Sequence, residues 1–256
     1  MVSKYVDIGN GVKLHCNISN PNVGSTILVI HGWAGSSKIW SRYISKMGES
    51  VTIIAIDLKG FGDSSKPKSG YGLPTLAEEI YKAAKKLNVS EAIVVGHSMG
   101  GQVAMYMTVK HKSFVKGLVV VDSAEKPSKL VPGWIEEAKK DYNGLINRVI
   151  PTLFDNISNS ELGLFISEGQ KMTKDSVLGT LRGIMRIRLE KKLSEIKCPA
   201  LLIFGVHDKN RSIEELKALG KKLNGSKLIV IKNSKHCPMY ENVDDFKKAM
   251  DSFVCK

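Results

Sequence analysis

The chain has 256 residues, of which 43% are hydrophobic and 25% charged, and a formal net charge of +13. This length suits one α/β domain with an insertion, and no apolar stretch approaches the roughly 20 residues that span a bilayer, so a transmembrane segment is not expected. The 32 lysines and six arginines are dispersed and are not interleaved with aromatic residues, so we predict a solvated basic surface and no nucleic-acid partner.

Strand-like and helix-like segments alternate along the chain, which is typical of a parallel sheet with helices on both faces. Residues 2–7 and 13–17 predict a hairpin around Gly9-Asn10-Gly11. Further strands are predicted at residues 27–30, 51–56, 92–95, 118–121, 201–205 and 227–231. Helices are predicted from a capping box at Thr75 and Glu78 through Lys86, at 102–111, at 214–223 and at 244–253. The stretch 123–194 breaks this alternation of strands and helices, because it has no β-rich run. It is predicted to form helices joined by prolines and glycines.

A G-x-S-x-G motif follows the apolar run at 92–95 and precedes a helix-like segment; it reads Gly96-His97-Ser98-Met99-Gly100. Strand, sharp turn and helix are the setting of a nucleophile elbow, in which the serine is held exposed at the tip of the turn. Because glycine has no side chain, the two glycines allow the strand and the helix to approach each other closely. The motif therefore predicts that Ser98 is a nucleophile.

A serine hydroxyl needs a base, and the base needs an orienting acid. His236 follows the predicted strand 227–231 and precedes Pro238, and Asp208 follows the strand 201–205. The chain order Ser98, Asp208, His236 is the order expected when the nucleophile lies on an elbow. Asp122 is the alternative acid, because it ends the apolar run one strand earlier.

The developing oxyanion needs two hydrogen-bond donors. One is the backbone N–H of Met99, the residue after the nucleophile. We assign the second to the backbone N–H of Trp33, in the glycine-bearing loop that follows the strand 27–30.

Together these segments resemble the α/β-hydrolase fold superfamily over nearly the whole chain. The likeness is carried by the elbow, by His31-Gly32-Trp33, by Asp57-Leu58-Lys59-Gly60-Phe61-Gly62-Asp63-Ser64, by Phe204-Gly205-Val206-His207-Asp208 and by His236-Cys237-Pro238. It implies an α/β fold with a mostly parallel, doubly wound sheet of about eight strands. It also implies a core domain of residues 1–122 and 195–256 and a helical cap of residues 123–194. The chain looks most like small serine esterases, carrier-protein methyl-ester esterases and haloperoxidase-like members. Relatives often have a Val-Pro pair shortly after the acid, where this chain has Lys209-Asn210-Arg211-Ser212.

In this superfamily the cap shapes the substrate pocket, for which we name His31, Trp134 and Met185 as candidates. Arg182 and Arg186 stand four residues apart on one predicted helix, and guanidinium groups suit carboxylate or phosphate. We hypothesise that they receive an acidic substrate or an acidic acyl carrier. Ordinary surface charge is the alternative interpretation.

These features predict a serine hydrolase, a carboxylesterase that cleaves esters of small to medium acyl chains through an acyl-enzyme intermediate. The same residues would also serve C–C bond, lactone or amide hydrolysis or perhydrolysis, and a non-catalytic ligand receptor is a third class. We expect no cofactor and no metal, because the four cysteines are scattered and the mechanism needs only water. Scattered cysteines and an N-terminus without a secretory signal predict a cytoplasmic protein. A monomer or homodimer is expected, although no residue pattern fixes the oligomeric state.

Overall fold

Eight strands of the described chain form one sheet, and the computed structural model describes residues 1–21, 23–47, 51–223 and 225–254. The strands are β1 (Val2–Asp7), β2 (Lys13–Ser19), β3 (Thr26–Ile30), β4 (Thr52–Ile56), β5 (Ala92–His97), β6 (Val115–Val121), β7 (Ala200–Gly205) and β8 (Lys227–Ile231). Their order across the sheet is β1-β2-β4-β3-β5-β6-β7-β8. β2 is antiparallel to both β1 and β4, and the other neighbouring pairs are parallel. The predicted hairpin and the mostly parallel sheet are confirmed.

Ten α-helices flank or follow these strands in the described residues. They are α1 (Ser41–Lys46), α2 (Leu73–Lys86), α3 (Met99–Lys110), α4 (Val131–Lys140), α5 (Tyr142–Val149), α6 (Asn159–Gln170), α7 (Lys174–Met185), α8 (Ile213–Lys222), α9 (Pro238–Glu241) and α10 (Val243–Val254). The capping box at Thr75 is wrong: α2 begins at Leu73 after Gly72, because Pro74 favours the first helical turn. Residues 123–194, between β6 and β7, contain helices and no strand.

The central strands are buried along their whole length. Every residue of β4 and β7 is buried, as are the last four of β3. Helices cover both faces of a parallel sheet, so its strands are continuous Val, Ile and Leu runs without polar alternation. Parallel strands direct their carboxyl ends to one edge, where the loops after β3, β5, β7 and β8 meet. Cys16, Cys198 and Cys237 carry free thiols, and Cys255 lies outside the described residues.

A buried ion pair joins the hairpin to the loop after β4. His15 Nδ1 lies 2.9 Å from Asp57 Oδ2, and Asp57 also accepts hydrogen bonds from the backbone N–H groups of Ser37 and Asp63. Burial opposes ionisation of Asp57, but the His15 hydrogen bond and these N–H groups hold its pKa well below 3.8. The hydrogen bond to Asp57 outweighs burial and raises the pKa of His15 above 6.5. The Asp57 loop is thus held by hydrogen bonds from His15 and from two backbone N–H groups.

We expect this pair to make stability depend on pH in two directions. The raised pKa of His15 contributes stability that is complete below pH 6.5 and is lost as the pH rises through the folded value. The lowered pKa of Asp57 contributes stability that is present above pH 3.8 and is lost as the pH falls through the folded value. Thermal melts should show the His15→Gln variant furthest below wild type near pH 6 and closer to it at alkaline pH. A melting difference that does not vary with pH would contradict this account.

Candidate active site

Ser98 stands at the junction of β5 and α3 in a backbone conformation that side chains rarely adopt. Its φ is 52° and its ψ is −119°. The Ser98 N–H donates to Val121 O at 2.9 Å, and Ser123 Oγ donates to Ser98 O at 2.6 Å, which hold the turn in place. A residue kept in such strain by its surroundings is typical of a functional turn. The side chain is half-exposed, as the elbow motif predicts.

The glycines of the motif are required by close backbone contacts. A Cβ on Gly96 would lie 2.2 Å from Gly100 O, and a Cβ on Gly100 would lie 2.4 Å from His31 O. Neither site can hold a larger residue without moving backbone. Strand and helix therefore approach closely enough to present Ser98 between them.

The loop after β3 packs directly against the serine. A Cβ on Gly32 would lie 3.0 Å from Ser98 Cβ and 2.8 Å from His97 Nδ1. The next residue, Trp33, has a backbone N–H that donates to no group among the described residues. Met99 is the first residue of α3, where backbone N–H groups have no intrahelical partner. Two unpaired backbone donors therefore flank Ser98.

His236 and Asp208 form a buried hydrogen-bonded pair. His236 Nδ1 lies 2.8 Å from Asp208 Oδ2, and the two side chains are 4% and 0% exposed. The backbone of His236 is held from two sides: its N–H donates to Leu153 O at 3.1 Å, and its carbonyl accepts from His97 Nε2 at 2.7 Å. Burial opposes ionisation of Asp208, but the charge and hydrogen bond of His236 lower its pKa below the ordinary value. The pair is oriented with Nε2 of His236 left for another partner.

Ser98 and His236 line the same small cavity, of about 30 Å³. The hydrogen bonds of the described residues do not include one between Ser98 Oγ and His236. In unliganded enzymes such bonds are often long and tighten when substrate binds. We refer to this space as the serine cavity.

The structure separates the roles of Asp122 and Asp208. Asp122 is fully buried, and its Oδ1 accepts from Gly205 N–H at 3.0 Å. Burial, followed by the charge of Asp208, raises the pKa of Asp122 well above its ordinary value, and a side-chain hydrogen bond with Asp208 acts in the same direction. The pKa values of the two acids are thus shifted in opposite directions, with the lowered one at Asp208.

Two clusters bring three potential metal ligands within 4.8 Å of one another: His15 with Asp57 and Asp63, and Asp122 with Asp208 and His236. Hydrogen bonds account for both. His15 and Asp57 are bonded to each other and to backbone, and in the second cluster His236 Nδ1 is bound to Asp208. Hydrogen bonds within the protein therefore already use donor atoms of both clusters.

Of the predicted pocket residues, Trp134 of α4 reaches the serine cavity, where it stacks on Trp33 at 5.3 Å between ring centroids. The assignment of His31 to the pocket is wrong. Its side chain is fully buried, with Nδ1 donating to Gly32 O and Nε2 accepting from Leu58 N–H. Burial lowers the pKa of His31, so its neutral ring links the loop at Gly32 to the loop at Leu58 through hydrogen bonds.

Met185, Arg182 and Arg186 lie outside the cavities at Ser98, which corrects their assignment to the pocket. All three are exposed, because α7 buries the face that contains Leu181 and Ile184. Ile184 lines the serine cavity in the place where Met185 was expected. Successive side chains on a helix point about 100° apart, so adjacent residues face different surroundings. Which of them faces the cavity is decided by how the helix packs.

Sequence reasoning missed four polar residues of the serine cavity, Gln102, Ser128, Asn210 and Arg211. Gln102 stands four residues after Ser98, which places it one turn further along α3. Arg211 belongs to the segment that replaces the Val-Pro pair of relatives. The absence of the Val-Pro pair was visible in the sequence, and it was the only indication that Arg211 belongs to the site.

A second cavity of about 30 Å³ lies on the other side of the Gly32–Trp33 loop. Its lining is almost wholly apolar and includes Trp33, Leu153, Phe154 and Phe165. We refer to it as the apolar cavity. Trp33, in the predicted oxyanion loop, lines both cavities.

The sequence matches the alpha/beta hydrolase fold family over residues 25–165, more than half of the chain, and the protein belongs to this family. The predicted superfamily and fold are therefore confirmed. An AB hydrolase superfamily protein of Bacillus subtilis strain 168, YisY, is 26% identical, with the match covering 90% of this chain and 91% of that one. The pimeloyl-[acyl-carrier protein] methyl ester esterase of Vibrio atlanticus strain LGP32 is 24% identical, with 91% and 95% covered. Among solved structures, an esterase from Exiguobacterium antarcticum superposes with a TM-score of 0.92 at 20% identity and covers 100% of both chains.

In the parts of the chain that the structure describes, no helix is both long enough and apolar enough to cross a bilayer.

Proposed function

We propose that the protein is a serine hydrolase of the carboxylesterase type, which cleaves esters of small to medium acyl chains through an acyl-enzyme intermediate. One observation carries this proposal. A strained, half-exposed Ser98 shares a cavity with an Asp208-bound His236 and abuts a loop with an unpaired N–H. Relatives named as esterases support the same class of reaction.

In the proposed mechanism His236 Nε2 takes the proton of Ser98 Oγ as this oxygen attacks the carbonyl carbon of the ester. The backbone N–H groups of Trp33 and Met99 donate to the resulting oxyanion. Collapse of the tetrahedral intermediate expels the alkoxide, which receives the proton from His236, and leaves Ser98 acylated. Water then attacks the acyl carbon as His236 removes its proton, and the second collapse returns the proton to Ser98 and releases the acid.

Asp208 acts in this scheme by orienting the imidazole. Its carboxylate accepts from His236 Nδ1, which fixes the tautomer whose Nε2 is a base and stabilises the imidazolium that forms. Hydrogen bonds to the backbone of His236, from His97 and to Leu153, fix the loop that carries it. The proposed nucleophile, base, orienting acid and oxyanion donors together support an enzyme over a non-catalytic receptor.

The size of the two cavities leads us to expect a preference for short acyl chains. Each offers about 30 Å³, room for a few atoms, whereas sites for drug-sized ligands typically have 300–1,000 Å³. We expect kcat/KM for p-nitrophenyl esters to be highest between acetate and butyrate and to be at least about tenfold lower for decanoate, since one poorly placed methylene changes binding by roughly 1–3 kcal/mol.

The measurement is the initial rate across the ester series, together with labelling of Ser98 by a fluorophosphonate probe. A maximum at octanoate or decanoate would contradict the size argument. If the probe labels Ser98 but no ester is hydrolysed, C–C, lactone or amide hydrolysis or perhydrolysis replaces ester hydrolysis as the proposed reaction. Failure to label Ser98 would favour the receptor.

An acidic acyl carrier stays a prediction for this chain. The Vibrio relative is named for a carrier-bound ester, and Arg182 on α7 and Arg186 at its C-cap are exposed. A carrier that met this face would contact both guanidinium groups from outside, without placing its protein part in the serine cavity.

A further inference from the structure

Arg211 is a buried cation in the wall of the serine cavity. The residue is 7% exposed, and its side chain is 5% exposed. Its NH1 atom has no hydrogen-bond partner, and the guanidinium makes no hydrogen bond to any described residue. An unpaired buried charge is costly, so a folded protein usually supplies it with a partner or a function.

Glu215 is the nearest carboxylate, and it forms an ion pair with Arg211 that is too long for a hydrogen bond. Its Oε1 lies 3.8 Å from Arg211 NH1, beyond hydrogen-bond distance, and 3.6 Å from Lys126 Nζ. The other oxygen of Glu215 accepts from Ser212 N–H at 3.1 Å in the capping box that begins α8. The capping box therefore fixes the carboxylate where it cannot close on the guanidinium.

The other acids near Arg211 accept no hydrogen bond from it among the described residues. Glu125 Oε1 accepts from Lys222 Nζ at 2.6 Å, Asp208 is bonded to His236, and burial raises the pKa of Asp122 well above its ordinary value. Burial lowers the pKa of Arg211, while Glu215 and Asp208 act in the opposite direction. The guanidinium in the cavity wall thus has a counter-ion at 3.8 Å, Glu215, but no hydrogen-bonded carboxylate among the described residues.

The acid loop holds Arg211 in this position. Asn210 N–H donates to Asp208 Oδ1 at 2.7 Å, and Asn210 O accepts from Ser128 Oγ at 3.2 Å. Ser212 is the N-cap of α8. Arg211 is therefore fixed between a tight turn and a helix start, three residues from the acid that orients His236.

The serine cavity also contains polar atoms without partners on its other walls. Gln102 Nε2 donates to Ala124 O and Lys126 O, which leaves Gln102 Oε1 unpaired, and Trp33 Nε1 is unpaired as well. The apolar cavity, which Trp33 also lines, is lined almost wholly by apolar residues. Polar and apolar parts of a substrate would therefore contact different cavities.

We propose that Arg211 is a specificity residue that binds a carboxylate of the substrate, so that the preferred substrates are small esters bearing an ionised carboxylate a few bonds from the scissile carbonyl. This rests on the proposed ester hydrolysis. A guanidinium presents paired N–H donors that match a carboxylate, and a cavity of about 30 Å³ suits a group of that size. The substrate carboxylate supplies the hydrogen bonds that Glu215, at 3.8 Å, does not make.

Matched esters test this directly in the wild-type protein. Monomethyl succinate places the carboxylate on the acyl part, and methyl succinamate is its uncharged amide counterpart. O-Acetylglycolate and O-acetylglycolamide do the same for the alcohol part. We expect kcat/KM to be about 10–100-fold higher for the charged member of at least one pair, which is the effect of a hydrogen-bonded charge.

The variants assign that preference to Arg211. In Arg211→Gln the ratio of charged to uncharged ester should fall to near one, and in Arg211→Lys it should be partly kept. Lys209→Gln removes the same charge from the same loop at an exposed side chain, and should keep the wild-type ratio. Thermal melts and the rate of fluorophosphonate labelling establish that each variant is folded.

Equal rates for both members of both pairs in the wild-type protein would overturn the proposal, whether or not the variants fold. A preference that survives in Arg211→Gln, or that is lost equally in Lys209→Gln, would also overturn it. In these cases hydrolysis of the uncharged esters leaves the proposed function standing. If Ser98 is not labelled and none of the four esters is hydrolysed, the proposed function fails, and this inference fails with it.

Discussion

Ser98→Ala should lower kcat/KM for short-chain esters by about 10⁴–10⁶-fold, because removal of the attacking oxygen closes the acyl-enzyme route. The fold should be kept, since Ser98 makes its hydrogen bonds to Val121 and Ser123 through backbone atoms. Initial rates and the loss of fluorophosphonate labelling measure the effect. A melting temperature close to that of wild type would show that the loss is chemical.

The chain offers a matched control on the hairpin. Ser3 Oγ lies 2.8 Å from His15 Nε2, and His15 Nδ1 lies 2.9 Å from Asp57, so the hydrogen-bonding pattern of a serine triad occurs there as well. Ser3, however, lies in an extended strand, away from the loop that carries Trp33. We expect Ser3→Ala to keep esterase activity within about twofold of wild type, because a hydroxyl without oxyanion donors gains little from a base. Activity that survives in Ser98→Ala and is lost in Ser3→Ala would reverse the assignment.

Asp208→Asn should lower kcat by about 10⁴-fold while Asp122→Asn stays within about tenfold of wild type. An amide at position 208 can hold His236 in the wrong tautomer and cannot stabilise the imidazolium. Burial and the charge of Asp208 raise the pKa of Asp122, which favours its neutral form. Its amide replacement can still accept from Gly205 N–H.

Because each Asp→Asn substitution keeps the side-chain volume nearly constant, the comparison of the two variants measures the effect of removing each carboxylate's charge. Parallel kcat measurements and melting curves are the readout. If Asp122→Asn proves to be the more damaging substitution, Asp122 is the orienting acid and Asp208 the supporting one. Equal losses would indicate that the two acids act as one coupled unit.

Much of the site could be predicted because it depends on local patterns. The elbow combines an apolar run, two glycines and a helix-like segment within about 20 residues, and the structure gives Ser98 the strained φ of 52° that the motif requires. Asp208 and His236 each follow a strand, and parallel strands bring their following loops to one edge of the sheet. Chain order and strand pattern were therefore enough to pair them.

Residues that the sequence misplaced are those whose role depends on which face is packed. His31 adjoins the predicted oxyanion loop in sequence, yet both of its ring nitrogens are occupied by backbone groups, one of them on the distant residue Leu58. Met185 and Ile184 are equally apolar neighbours in α7, and only the contact with the core turns Ile184 inward.

By itself the sequence determined the order of strands and helices, the strained serine and the family, because strand burial, turn chemistry and glycine spacing are expressed within short stretches of chain. Only the tertiary structure decided that the pKa of Asp122 is raised and that Arg211 lies in the wall of the serine cavity with an unbonded NH1. Desolvation and the distances between charges depend on residues far apart in the chain, such as Lys222 beside Glu125 and His236 beside Asp208, and these distances exist only in the folded molecule.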